Sequence, residues 1–250
     1  MIQAFFQWNN VRYEVDLSCG VDLSTPYGAP NSVSAWGSPP VRFEPVHYGD
    51  WVGSVAAGAS VNFFDIQLNP HGNGTHTEWA GHILPERGSV NDQLRLFWFP
   101  ALLADVRVEE DGSIQEPFGL MEHQHLPEAV ILRTSKSYMP PEDGNYSGAH
   151  PPYLLPEFAQ TLAKKGVQHL LIDLPSVDPE EDGGALSAHK AFWGIDKGEL
   201  RSGATISELL RIPASLQEGL YLLNLQMAPI ANDASPSRPI VFPWIHAHES

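Results

Sequence analysis

Leu155-Pro156-Glu157-Phe158-Ala159-Gln160-Thr161-Leu162-Ala163-Lys164-Lys165-Gly166-Val167-Gln168-His169-Leu170-Leu171-Ile172-Asp173-Leu174 is a helix handed directly to a strand. Leu155, Phe158, Ala159 and Leu162 share one face at helical spacing, basic residues fill the last turn, and Gly166 stands just past the end. Val167 to Leu174 then reads as a buried strand. This helix-to-strand step is the unit of an α/β fold, in which helices pack on a sheet.

Outward from that unit the chain offers more of both elements. Gln3 to Phe6 and Arg12 to Leu17 read as strands around an Asn9-Asn10 turn, and Val61 to Leu68 is rich in β-formers. Phe97 to Val108 suggests further sheet, with Pro100 limiting the strand or placing it at an edge. Ala129 to Arg133 is short and continuously apolar, as a strand buried on both faces should be. Leu220 to Met227 and Ile240 to Phe242 supply the last strands, a second helix begins near Ala185 and carries His189, and a third contains Ile206 to Leu210. Between Pro26 and Gly58 the chain is rich in Pro, Gly and Ser. It reads as ordered loop rather than linker, because Trp36, Phe43, Tyr48 and Trp51 need somewhere to pack.

At 250 residues the chain suits one sizeable core, so residues 1–250 are expected to form a single domain. A hydrophobic fraction of 42% is that of a folded globule, and no segment reaches the roughly 18 unbroken apolar residues of a membrane helix. The N-terminus lacks the basic flank and cleavage site of a secretory signal, which points to the cytoplasm. The lone Cys19 cannot form an internal disulfide, and it leaves any metal to histidines and carboxylates. A formal charge of −16 repels polyanions, which argues against nucleic acid and anionic membrane as partners.

The chemistry concentrates in Asn69-Pro70-His71-Gly72-Asn73-Gly74-Thr75-His76-Thr77-Glu78-Trp79-Ala80-Gly81-His82. Its glycines and Asn69-Pro70 exclude the continuous helix of an HExxH zinc site. In an extended chain His76 and Glu78 share a face, since the strand period is two, and His71 can fold back across the glycine-rich turn to join them. Imidazole and carboxylate are the ligands of catalytic zinc and related ions, so this stretch reads as half of a metal site.

The stretch resembles the signature of the metal-dependent cyclase, or kynurenine formamidase-like hydrolase, family: a histidine, then Gly-Thr-His, any residue, Asp, and a histidine four residues on. Gly74-Thr75-His76-Thr77-Glu78 and His82 match position by position, with Glu78 in place of the Asp and His71 one residue further upstream. Asp16-Leu17-Ser18 and Asp22-Leu23-Ser24-Thr25-Pro26 resemble the family's early Asp-Leu-Ser motif. Ile172 to Asp178 with Ala188-His189-Lys190 resembles the second, Ile206-Ser207-Glu208-Leu209-Leu210 the third, and Ser235 to Pro239 the C-terminal segment.

That resemblance implies a mixed central sheet flanked by helices, of the swivelling β/β/α kind. It also implies a first ion on His71, His76 and Glu78, and a second position formed by Glu78, His189 and Glu208. Glu199 competes with Glu208, although the apolar neighbours of Glu208 favour it. Zinc is the expected ion and manganese the alternative, as one ion or two. His82 acts in proton transfer rather than ligation, with fourth ligand or partner of a ligand as its other readings.

A metal lowers the pKa of bound water from 15.7 to about 7, giving a hydroxide that attacks a carbonyl, while the leaving group still needs a proton. The expected activity is hydrolysis of a non-peptide C–N bond in a formamide or cyclic amide, like an arylformamidase, with the substrate unassigned. A lactone hydrolase, or a metal- and ligand-binding protein without catalysis, is the alternative. Loops at about 26–62 and 85–125 should line the pocket, where Trp36, Trp51, Trp79, Phe97 and Trp98 suit an aromatic or apolar portion of a small-molecule substrate. By the same analogy the protein is a homodimer or larger oligomer.

Three other features read as bland. Asp178-Pro179-Glu180-Glu181-Asp182-Gly183 superficially suggests a calcium loop but reads as solvated helix entry, and no Gly-x-Ser-x-Gly elbow supports Ser147 or Ser176 as a nucleophile. His123, His125, His246 and His248 read as surface residues.

Overall fold

The structure, a computed structural model, describes residues 2–249 apart from 30–31, 87, 116, 118–119, 121–124 and 135–137. Strands β1 (Gln3–Trp8) and β2 (Val11–Asp16) form an antiparallel hairpin. Asn9 and Asn10 both take left-handed φ values, 49° and 63°, and Asn tolerates that region better than most residues. After β3 (Val21–Asp22) comes an excursion from the main sheet. There β4 (Arg42–Pro45) pairs with β7 (Phe64–Gln67), and β5 (His47–Tyr48) pairs with β6 (Trp51–Val52).

Next come α1 (Pro70–Asn73), β8 (His76–Trp79), α2 (Val90–Gln93) and β9 (Trp98–Asp105). The short β10 (Ser113–Ile114) pairs with β12 (Tyr153–Leu154), and β11 (Ala129–Arg133) lies between them in sequence. The chain ends with α3 (Pro156–Lys164), β13 (His169–Ile172), α4 (Ser187–Trp193), β14 (Thr205–Glu208), β15 (Gly219–Met227) and β16 (Ala234–Glu249).

The strand order β1-β2-β16-β15-β9-β11-β13-β14-β8 would be an open mixed sheet, but β8 also pairs with the start of β16 and closes it into a barrel. One long strand makes this possible. Ala234 to Pro236 pair with β8, Ser237 to Pro243 with β15, and the residues from Trp244 onward with β2, with an irregularity between Trp244 and His246. The run β9, β11, β13, β14 is parallel, as connections through α3 and α4 require, and the remaining pairs are antiparallel.

Side-chain alternation divides these parallel strands between two cores. Phe99, Ala101, Leu103, Ala129, Ile131 and Leu171 face the barrel interior with Leu223 and Val241. Their neighbours Val130, Leu132, Leu170 and Ile172 point outward beneath Phe158, Leu162, Phe192 and Trp193 of α3 and α4. A strand buried on both faces must be continuously apolar, which is why AVILR and HLLI read as they do.

Three expectations are corrected. Pro100 lies inside β9, between β15 and β11, not at a sheet edge. Pairing with β11 begins only at Ala101, so the missing N–H falls where that side of the strand is still open. Ile206 belongs to strand β14 rather than to a helix, because Thr205 to Glu208 are all buried between β13 and β8. Trp36, Phe43, Tyr48 and Trp51 do not pack inward. They are exposed, as are Phe63, Phe64 and Ile66 on the same excursion.

Arg133 ties the carboxyl end of β11 to its surroundings. Fully buried, it donates from Nε to Asp105 at 2.5 Å and from Nη1 to the carbonyls of Pro213 and Leu216 at 2.8 and 2.9 Å. Losing the buried guanidinium takes the donor from both carbonyls and the cation from beside Asp105. Arg133→Met should therefore lower stability by about 3 kcal/mol, read as a fall in the urea midpoint, with no change in metal content.

Candidate metal centre

The site stands on the outer wall of the barrel, where β8 meets β14. Period-two alternation puts His76 and Glu78 on one face of β8, and the antiparallel register sets Glu208 directly opposite His76. His76, Glu78 and Glu208 are all buried. His71 arrives by a single helical turn. Pro70 starts α1, and the Asn69 side chain caps it by accepting the His71 N–H at 2.9 Å. That turn absorbs the extra residue between His71 and His76. Gly72 within it is required by close approach: a Cβ there would lie 2.3 Å from Ser38 Oγ and 2.9 Å from the Ala35 carbonyl.

Helix α4, packed against α3, brings in His189. Its Nδ1 lies 2.5 Å from Asp178 Oδ2, and Asp178 also accepts the N–H groups of Ala188 and His189. Nε2 then faces Glu78 Oε1 at 2.9 Å. His76 repeats the pattern: Nδ1–H donates to the Gly74 carbonyl at 3.1 Å, which turns Nε2 toward Glu208 Oε2, 3.4 Å away. His71 presents Nε2 to Asp233 Oδ2 at 2.9 Å and Nδ1 to Glu78 Oε2 at 3.0 Å. Each imidazole thus has one nitrogen fixed by an oxygen acceptor and the other aimed at Glu78 or Glu208, as metal-ligating histidines are usually held.

Whether an ion fits is answered by the atoms left over. His76 Nε2 and Glu78 Oε2 are buried without a hydrogen-bond partner. The close approaches of His71 and Glu208 to them are short in distance but lack hydrogen-bond alignment. Unpaired buried polar atoms are costly. His71, His76 and Glu78 form one group whose ligand atoms lie within 4.8 Å of one another, and Glu78, His189 and Glu208 form another. Glu78 is common to both, with one oxygen toward each. The donor set suits a divalent ion.

The charges bear this out. Burial opposes protonation of His71, yet Asp233 and Glu78 overcome it and raise its pKa to about 10; in His189, Asp178, Glu78 and Glu208 overcome burial and raise it likewise to about 10. Burial favours the neutral form of Glu78, but His82, His189 and His71 hold it ionised well below the carboxylate range. Without an ion, the cluster attracts protons in its place.

His82, on the short turn after β8, lies at the edge of the cluster, with Nδ1 3.5 Å from Asp233 Oδ2 and 3.9 Å from Glu78 Oε2. It opens on a cavity of about 390 Å³ lined also by Trp36, His71, Ser176, Leu186 and His189. Of the aromatics expected there only Trp36 contributes. Trp79 is buried in the core, while Trp51, Phe97 and Trp98 are exposed elsewhere. A larger open groove of about 1000 Å³, lined by Tyr27, Arg211 and Arg238, shares no residue with this cavity.

The structure brings together all six expected residues, His71, His76, Glu78, His82, His189 and Glu208, and leaves Glu199 exposed outside them. Two carboxylates were not anticipated. Asp178, expected in a solvated loop, is buried and grips His189; its place in the Ile172 to Asp178 motif was the available signal. Asp233, two residues before the Ser235-Pro236 motif, carried none. His125 is exposed, His123 lies outside the described residues, and so do the side chains of His246 and His248.

The chain matches the family model described as "Putative cyclase" over residues 17–179. It is 29% identical over 232 residues to a kynurenine formamidase of Bacillus cytotoxicus, covering 89% of this chain and 97% of the relative. Among solved structures it resembles a predicted metal-dependent hydrolase from Bacillus stearothermophilus, at a TM-score of 0.60 and 18% identity over 89% of this chain and 97% of that one. It also resembles an isatin hydrolase bound to thioisatinate, at a TM-score of 0.62 and 17% identity over 90% and 92%.

The raised imidazole pKa values fix a pH dependence. A histidine held protonated stabilises the fold fully below its ordinary 6.5 and loses that contribution as pH rises through about 10. Chelator-treated protein should lose thermal stability across that window. Added zinc should restore it, binding more tightly as pH rises because it displaces those protons. Melting curves against pH, with and without the ion, measure both.

Proposed function

Since the chain belongs to the Cyclase family and is a hydrolase as its relatives are, we propose that it hydrolyses a non-peptide C–N bond, in a formamide or cyclic amide, with the aid of a divalent ion. One observation carries the reading: three imidazoles, each fixed at one nitrogen, turn the other toward a buried pair of carboxylates, His71 and His189 toward Glu78 and His76 toward Glu208. His71, His76 and Glu78 would hold a first ion, and Glu78, His189 and Glu208 a second. Zinc is the first choice and manganese the alternative. An ion so held supplies Lewis acidity and an acidified water.

The remaining steps belong to the chain. His82, partly exposed at the cavity wall, takes a proton as water adds to the carbonyl carbon and gives it to the nitrogen as the C–N bond breaks. The products are a carboxylate and an amine, joined in one molecule when the substrate is cyclic. Trp36 offers an apolar wall to the part of the substrate that does not react. It is held there at φ 60° between the Ala35 N–H, bonded to the Gly72 carbonyl at 3.0 Å, and the Gly37 N–H, bonded to Ser147 Oγ at 2.9 Å. The cavity volume suits a small molecule of one or two rings. Within this reading residues 1–250 act as one cytoplasmic domain, assembled as a homodimer or larger oligomer.

Elemental analysis of protein purified without added metal should find at least one stoichiometric divalent ion; none, even after reconstitution, overturns the reading. A panel of formamides, cyclic amides and lactones separates C–N cleavage from ester cleavage, and both from binding without turnover. His82→Ala should keep its ion and lose about 10²- to 10⁴-fold in kcat, the usual worth of a positioned acid-base group. Loss of the ion in that variant would make His82 a ligand instead.

A further inference from the structure

Asp233 touches two histidines to which the proposed reaction gives different work. Its Oδ2 lies 2.9 Å from His71 Nε2 and 3.5 Å from His82 Nδ1, and the two rings stand 4.3 Å apart at 33°. It is on the far side of His71 from Glu78, since His71 offers Nδ1 to Glu78 and Nε2 to Asp233. Asp233 therefore stands behind the ligand cluster rather than within it.

Its place is set by the sheet. The Asp233 carbonyl accepts the Trp79 N–H at 3.3 Å, the Asn232 carbonyl accepts the Val90 N–H at 2.8 Å, and the next residue, Ala234, pairs in register with Glu78. The strand pairing that closes the barrel thus also delivers this carboxylate. A side chain 12% exposed on such a backbone has little room to turn elsewhere.

We infer that Asp233 is a positioning residue that serves both imidazoles at once: it fixes the ring of His71 for ligation and the ring of His82 for proton transfer. The role at His82 rests on the reading proposed above; the role at His71 does not. A carboxylate in this place accepts an N–H from each ring, so each is held with its proton on the nitrogen facing Asp233 and its other nitrogen free to work. The His71 nitrogen that would hold an ion is then Nδ1, which faces Glu78, and His82 turns Nε2 away from the carboxylate. Two other roles are open to the same residue. Asp233 could ligate a further ion with His71 and His82, whose ligand atoms lie within 4.8 Å of its own, or it could simply anchor the start of β16.

Asp233→Asn keeps the shape and removes the charged acceptor; Asp233→Glu restores the charge if the Asn variant fails to fold. Zinc titration by calorimetry should show affinity weakened about 10- to 100-fold in Asp233→Asn at unchanged stoichiometry, the usual cost of losing a ligand's partner. The Glu variant should recover part of it. Reduced stoichiometry would mark Asp233 as a ligand and overturn the inference, as would unchanged affinity.

At saturating zinc, Asp233→Asn should lower kcat by about 10²-fold with KM within about twofold, the direction expected when a catalytic imidazole loses its orienting carboxylate. In the His82→Ala background the same substitution should change kcat by less than about twofold, because both changes then act on one step. An equal loss with and without His82 would leave only the anchoring role. If the wild-type protein turns over nothing in the panel, the hydrolase reading fails by itself. The inference is still decided by ¹⁵N NMR of the histidine rings in the zinc-loaded protein: the protons on His71 Nε2 and His82 Nδ1 should be lost or moved in Asp233→Asn, and unchanged ring signals would refute it.

Discussion

A carboxylate buried in the wall of a barrel is the constraint from which the rest of the site follows. Glu78 is 0% exposed, and an ion-free carboxylate in such a place is expensive unless it is surrounded by donors or a cation. The structure supplies His71, His189 and, more distantly, His82 on its open sides, each oriented by an oxygen atom behind it. Those oxygens come from Asp233, behind His71 and His82, and from Asp178, behind His189, so the charge of one glutamate is balanced through residues spread over most of the chain.

Barrel closure is what allows that convergence. Strands β8 and β14 set His76 against Glu208 by register alone, and β16, turning from β8 to β15 to β2, carries Asp233 to the same edge. Helix α4 lies on the outer apolar face of the parallel strands, and packing there delivers His189. A strand partner, a helix face and a chain reversal each contribute a candidate ligand or its support. Rigid elements hold such a constellation more tightly than loops do.

Much of this was legible beforehand. Helix α3 and strand β13 show their periods plainly, and likeness of motif named His71, His76, Glu78, His189 and Glu208, which the fold gathers into one candidate site. The failures have physical causes. Ile206-Ser207-Glu208-Leu209-Leu210 contains no helix breaker, so only burial between two strands decides that it is extended. Pro100 is tolerated because a neighbouring strand starts one residue late. Asp178 begins an acidic run that looks solvated, and that composition masks the motif position that ties it to His189.

Periods, the sites of the turns, the donor types available with a single cysteine, and the His71-to-His82 cluster could all be read from the chain before folding. Those are local properties, set by each residue and its near neighbours. Tertiary structure decided that Glu78 faces His189 with one oxygen and His71 with the other, that Asp233 reaches His71 and His82, and that Trp36 alone of the expected aromatics lines the cavity. Each of those facts depends on strand register and barrel closure between segments up to 162 residues apart. No local spacing encodes them, because the free energy that fixes register is shared across the whole sheet.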